Sequence, residues 1–165
     1  MPVYPILIDA WQFECCGEPF ALGDTVSFPL ELLDPARFAD ELRVELAGAR
    51  PAGAVRTDEG DALQLLRAGG LTVASADTGR TAGVLHEQRH GSLPDSMPRT
   101  TGVAERLAVG RVEYVRDEGD DAWRPLPRTM TLYAVERTPD AFDSSPEGKS
   151  PPWGEAGMVV HLRVD

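Results

Sequence analysis

Four side chains in this sequence could do chemistry together: Cys15, Cys16, His86 and His90. The cysteines are adjacent and are the only two in the chain, and the histidines are spaced H-x-x-x-H. Thiolates and imidazoles are the ligands of four-coordinate zinc sites, so zinc is the cofactor this set suggests. The histidine spacing puts both rings on one face of a helix, and also on one face of a strand. The spacing that zinc sites usually show is C-x-x-C, because neighbouring residues rarely aim both sulfurs at one ion. Two other chemistries remain open. Adjacent cysteines can close a strained, switchable disulfide, although Glu14 and Glu18 flank the pair and would raise a thiol pKa. A single cysteine could also act as a nucleophile with His86, His90 or His161 as its base. Against all three stands packing: small, apolar cysteines beside Trp11, Phe13 and Phe20 would be buried. No G-x-S-x-G, H-E-x-x-H, P-loop or dinucleotide fingerprint occurs. The expectation is therefore a protein that is not an enzyme, with no catalytic residue assigned.

The elements that would position these residues are mostly strands. Residues 3–9 are β-branched, aromatic and apolar, with Pro2 and Pro5 favouring a sheet edge or a late start of the strand. Gly17 and Pro19 mark a turn, and Gly23-Asp24 a second. Residues 25–33 alternate, with Pro29 predicting an edge or a bulge. The stretch 34–48 reads as a helix: Asp34 as N-cap, Pro35 at the first position, and Phe38, Leu42 and Leu46 every four residues. A loop over 50–60 and a short helix over 61–68 follow, then a hairpin of 71–76 with 81–87. Strands are expected at 101–107, 111–115, 129–137 and 158–164, with a solvated acidic loop over 116–123. This pattern predicts a mainly β domain with one or two helices, an SH3-like or related bent-sheet barrel, since closure removes exposed strand edges. It forms a single domain over 1–165, with mobile loops near 50–60, 88–99 and 139–156.

Composition restricts the partners. Sixteen basic against 27 acidic residues leave a net charge of −11, and only one basic residue is a lysine. Such a chain is repelled by nucleic acid and anionic lipid, so a nucleic-acid role is not expected. No apolar run approaches the ~20 residues of a membrane span, and no signal sequence opens the chain, which points to the cytoplasm. Trp123 and Trp153 sit in the polar and proline-rich segments "DDAWRPLP" and "SPPWGEAG". Aromatic residues in such loops are candidates for contact with a partner.

The segment from Trp11 to Val26 reads W-Q-x-x-C-C-G-x-P-F-x-x-G-D-x-V. It resembles the opening of an uncharacterised family of short bacterial proteins of the actinobacterial type. That resemblance implies an intact domain and brings no assigned activity with it. The function expected is an interaction module that binds a protein partner or a second copy of itself. The alternative is a zinc protein using Cys15, Cys16, His86 and His90.

Overall fold

The computed structural model describes residues 1–90 and 93–165. The loop expected over 88–99 includes Gly91 and Ser92, which lie outside the described residues. The strands are β1 (Val3–Asp9), β2 (Thr25–Phe28), β3 (Leu30–Leu33), β4 (Arg43–Glu45), β5 (Arg50–Arg56), β6 (Ala62–Ala68), β7 (Leu71–Ser75), β8 (Ala82–Glu87), β9 (Thr100–Val115), β10 (Arg124–Pro125), β11 (Thr131–Val135) and β12 (Trp153–Arg163). One short helix, α1 (Ala10–Cys16), follows β1. The sheet runs β10-β9-β12-β1-β8-β3-β7-β6-β5, with β2 and β11 also on β9 and β4 on β8. It is a strongly curled, mixed sheet forming a half-barrel. The fold is thus mainly β, as expected, and nothing in the strand order marks it as SH3-like.

Both faces of the central strands are covered. Ile6 and Ile8 of β1 join Met158, Val160 and Leu162 of β12 in the main core. Leu7, between them, points the other way and packs with Leu42, Val84 and Val159. This is the period-2 alternation of a strand, applied to a sheet buried on both sides.

β1 is central rather than an edge strand. It pairs with β12 along its whole length and runs parallel to β8 at Ile6 and Leu7. Pro5 is tolerated there for a geometric reason. Val164 N–H donates to Pro2 O, so by alternation Tyr4 and Ile6 turn their amides to β12 and Pro5 turns away. On that other side the β8 ladder begins only at Ile6. Pro29 divides the expected 25–33 strand, because β2 pairs with β9 whereas β3 pairs with β8 and β7.

Several expected elements are different. Asp34 does cap a turn, accepting from Ala36 N at 2.9 Å, and Pro35 does follow it. The turn is a single 3-10 turn, Pro35–Arg37, followed by another, Asp40–Leu42, and then by β4. The helix over 34–48 is therefore absent. Leu42, Val44 and Leu46 are buried while Arg43 and Glu45 are exposed, so the segment alternates as a strand does. The loop over 50–60 contains β5, and the helix over 61–68 is β6. Leu63 and Leu65 face a small cluster with Met97, while Leu66 and Ala68 face the main core. The hairpin lies between β6 and β7 around Gly69-Gly70. β7 and β8 do not pair directly, because β3 lies between them. The segments 101–107 and 111–115 are one 16-residue strand, β9.

Candidate functional site

α1 grows directly out of the end of β1. Its inner face is Ala10, Gln12 and Phe13, all buried. Phe13 anchors it, with its ring edge-on to Phe20 and Phe142 at centroid distances of 6.4 and 6.2 Å. Gly17 ends the helix, donating to Phe13 O at 2.7 Å. A Cβ on Gly17 would run into the Phe13 ring and carbonyl, so the glycine of Cys15-Cys16-Gly17 is a packing requirement. The cysteines therefore occupy the last turn of a helix, where a loop turn was expected, and both are exposed. Packing does not explain them. Trp11 is likewise 59% exposed rather than in the core, whereas Phe20 is buried as expected.

The topology brings a histidine to the thiols. β1 and β8 are parallel, so both end at the same edge of the sheet. β1 continues into α1, and His90 lies three residues beyond the end of β8. Cys15 Sγ and Cys16 Sγ are 2.7 Å apart, and Cys16 Sγ is 3.0 Å from His90 Nε2. Among the described residues the three ligand atoms all lie within 4.8 Å of one another. Trp11 stacks on the His90 ring at 5.5 Å and 28°, fixing its plane.

His86 is not in this group. It stays inside β8, opposite Leu7, and its Nε2 is 2.8 Å from Asp9 Oδ2. The strand ends at Glu87, so the shared-face argument for H-x-x-x-H does not reach His90. His161, the third histidine, lies half-buried on β12, where desolvation and then Arg106 push its pKa down.

The loop after β8 is tied to α1 by Arg89. Its Nη1 donates to Cys16 O at 2.5 Å, and its backbone N–H donates to Gln12 Oε1 at 2.9 Å. Its Nε pairs with Glu87, which is 1% exposed. Gln12 in turn donates to Asp9 Oδ2 at 3.2 Å. Burial pushes Glu87 above the ordinary carboxylate range, and Arg89 opposes that shift. The Cys16 thiol is raised chiefly by its hydrogen bond with Cys15, with Arg89 pulling the other way. A raised Cys16 thiol holds back the thiolate that nucleophilic, redox and metal-binding chemistry all use, so it does not choose among them. Sequence reasoning missed Arg89, Gln12 and Asp9, because their role depends on contacts 73 to 77 residues away in the chain.

Both tryptophans are occupied from within the chain, and Trp153 opens β12, paired with Glu113 of β9, where a loop was expected. Trp123 Nε1 donates to Glu147 Oε1 at 2.8 Å, with Arg116 4.6 Å from its ring. Trp153 lies between Arg111 at 4.3 Å and Lys149 at 3.7 Å. Among the described residues, no helix is long and apolar enough to cross a membrane.

No curated protein and no solved structure matches the chain. A family model does, over residues 2–164, and its description is Family of unknown function (DUF6578). That span takes in α1, the β1–β8 pair and His90 alike, so the chain that carries Cys15, Cys16 and His90 belongs to the family of unknown function DUF6578.

Proposed function

We propose that this protein binds zinc through Cys15, Cys16 and His90. The observation that carries the reading is the convergence of two thiols and one imidazole within 4.8 Å, from segments 74 residues apart. In a tetrahedral site with zinc–sulfur bonds of ~2.3 Å and zinc–nitrogen bonds of ~2.1 Å, ligand atoms stand roughly 3.6–3.8 Å apart. The Cys15–Cys16 and Cys16–His90 distances, 2.7 and 3.0 Å, are shorter than that, and all three atoms lie within 4.8 Å of one another, so the ligands must spread to admit the ion. The exposed cysteine side chains can spread by the ångström required. Three protein ligands leave a fourth position for water or another ligand, since His86 is engaged by Asp9. The interaction-module reading rests on the lack of a catalytic motif and on the acidic and proline-rich segments, with Trp123 and Trp153 as its contact residues. Because both indoles already hold cations of the same chain, the metal reading is favoured.

The test is the metal content of untagged protein purified under reducing conditions. About one equivalent of zinc is expected, and cobalt in its place should give a thiolate-to-cobalt charge-transfer band. Cys16→Ser and His90→Ala should lose both signals, whereas His86→Asn should keep the stoichiometry. Less than about a tenth of an equivalent, with no uptake from added zinc, would rule the site out. Trp11→Ala removes the ring that orients His90. It is expected to weaken zinc binding about tenfold, the lower end of the range for outer-shell changes, as read by competition with a chromophoric chelator.

A further inference from the structure

On the face of the sheet that carries Leu7 lies a cavity of about 560 Å³. That volume is within the ~300–1,000 Å³ typical of small-molecule sites. Its floor is apolar: Leu7, Phe38, Leu42, Val112 and Met130 line it. Its covering segments are the 3-10 turn Pro35–Arg37 and the chain between β10 and β11. Three of the sixteen basic residues of this acidic protein, Arg37, Arg124 and Arg128, also line it. Leu126, one of few exposed large apolar side chains, stands with them.

Arg128 is held in an unusual state. Its φ is 64°, the only positive φ at a non-glycine position among the described residues. Such a conformation is strained for a side chain of this size and persists where the surroundings enforce it, often at ligand sites. Here Arg128 N–H donates to Arg37 O at 3.2 Å and its Nη2 to Asp40 Oδ1 at 2.7 Å. These bonds strap the β10–β11 connection to the turn across the cavity. Arg124 pairs with Asp117, while among the described residues Arg37 has no carboxylate in range. Tyr114, whose phenol is protonated at neutral pH, also lines the cavity and can donate. The one carboxylate of the lining, Asp9, is engaged by His86 Nε2 and Gln12 Nε2.

An apolar chamber lined by guanidinium-bearing residues and a phenol donor suits one kind of occupant. We infer that this cavity binds a small amphipathic carboxylate, its acyl or aryl body against Leu7, Phe38, Leu42 and Met130 and its carboxylate at Arg37. The inference is independent of the zinc reading, whose ligands are not among the lining residues.

The experiment is calorimetric titration of the full chain with decanoate below its micellar concentration. Decanol and decylammonium carry the same tail without the anion, and acetate carries the anion without the tail. Decanoate should bind one to one and at least tenfold tighter than any of the three. Arg37→Ala should weaken it about fivefold, and Met130→Trp, which fills the chamber, should abolish it. Should Met130→Trp fail to fold, methyl shifts of the unaltered protein decide: Leu7, Leu42 and Met130 must move on adding decanoate. No binding at millimolar decanoate, equal binding of decanol, or shifts confined to other methyl groups would each overturn the inference.

Discussion

Arg89→Met is expected to lower stability by about 3–5 kcal/mol, the range for removing one partner of a buried ion pair. For a chain of this size that is a fall in Tm of roughly 10 °C or more. The reason is Glu87. It is 1% exposed, and Arg89 Nε is its partner. Without Arg89, the buried carboxylate must either stay charged with only Arg99 and His86 to offset it or take up a proton. Adding Glu87→Leu to Arg89→Met removes the stranded charge and should restore most of the loss, so the two changes are strongly non-additive in a double-mutant cycle. Zinc binding separates the two jobs of Arg89. The double variant regains stability but still lacks the bond from Nη1 to Cys16 O, so its zinc affinity should stay below that of the unaltered protein. Equal urea midpoints for Arg89→Met and the unaltered protein would show that the pair does not carry this weight.

The loss has a defined pH dependence. Burial raises the folded-state pKa of Glu87, while Arg89, Arg99 and His86 pull it down. A carboxyl with a raised folded-state pKa is bound to its proton more tightly in the folded chain than in the unfolded one. Its contribution is fully favourable below the unfolded pKa and is lost as pH rises through the folded value. Removing Arg89 raises that value further. The deficit of Arg89→Met should therefore be largest at neutral pH and shrink on acidification toward the ordinary carboxylate range. Urea unfolding at pH 5 and pH 7.5 measures the difference directly.

Where the sequence misled about structure, the cause was a degeneracy of spacing. Leu42 and Leu46, four apart, fit a helical stripe and also a strand face, since four is a multiple of two. Val44 between them, flanked by Arg43 and Glu45, carried the strand signal, and a stripe drawn from every fourth residue passed over it. Residues 62–68 failed for a related reason. With leucines buried on both faces of β6, no polar face remained to show a period of two. The strand Val3–Asp9 is legible because its boundaries coincide with a change in chemistry, Asp9 at one end and Pro2 at the other. At the site, the cysteines and His90 could be singled out by type, but their meeting could not be read. It depends on β1 and β8 lying parallel, and two residue pairs define that contact. His86 looked equivalent to His90 until the end of β8 placed one inside the sheet and the other beyond it.

Gly157→Val should cost about 3 kcal/mol, the upper part of the usual range for overpacking, and should disturb the zinc site as well. Gly157 lies opposite Asp9 on β1 and opposite Gly110 on β9, immediately after the register shift at Ala156. A Cβ there would fall inside the van der Waals shell of the Ile8 carbonyl oxygen and lie 3.2 Å from Ala10 N. Those are backbone atoms, so no rotamer change can make room, and the junction of β1 with α1 must shift. That junction holds Asp9, the partner of His86 and Gln12, and it sets where α1 begins. A displacement there is carried along seven helical residues to Cys15 and Cys16. Ala134→Val is the control, because Ala134 is exposed on β11 and adding two methyl groups to an exposed strand position should change stability by no more than about 0.5 kcal/mol. The expected signature is thus a drop in the urea midpoint for Gly157→Val alone, with less zinc bound per folded molecule. A folded Gly157→Val protein with unaltered zinc affinity would mean that the start of α1 does not determine where its cysteines meet His90.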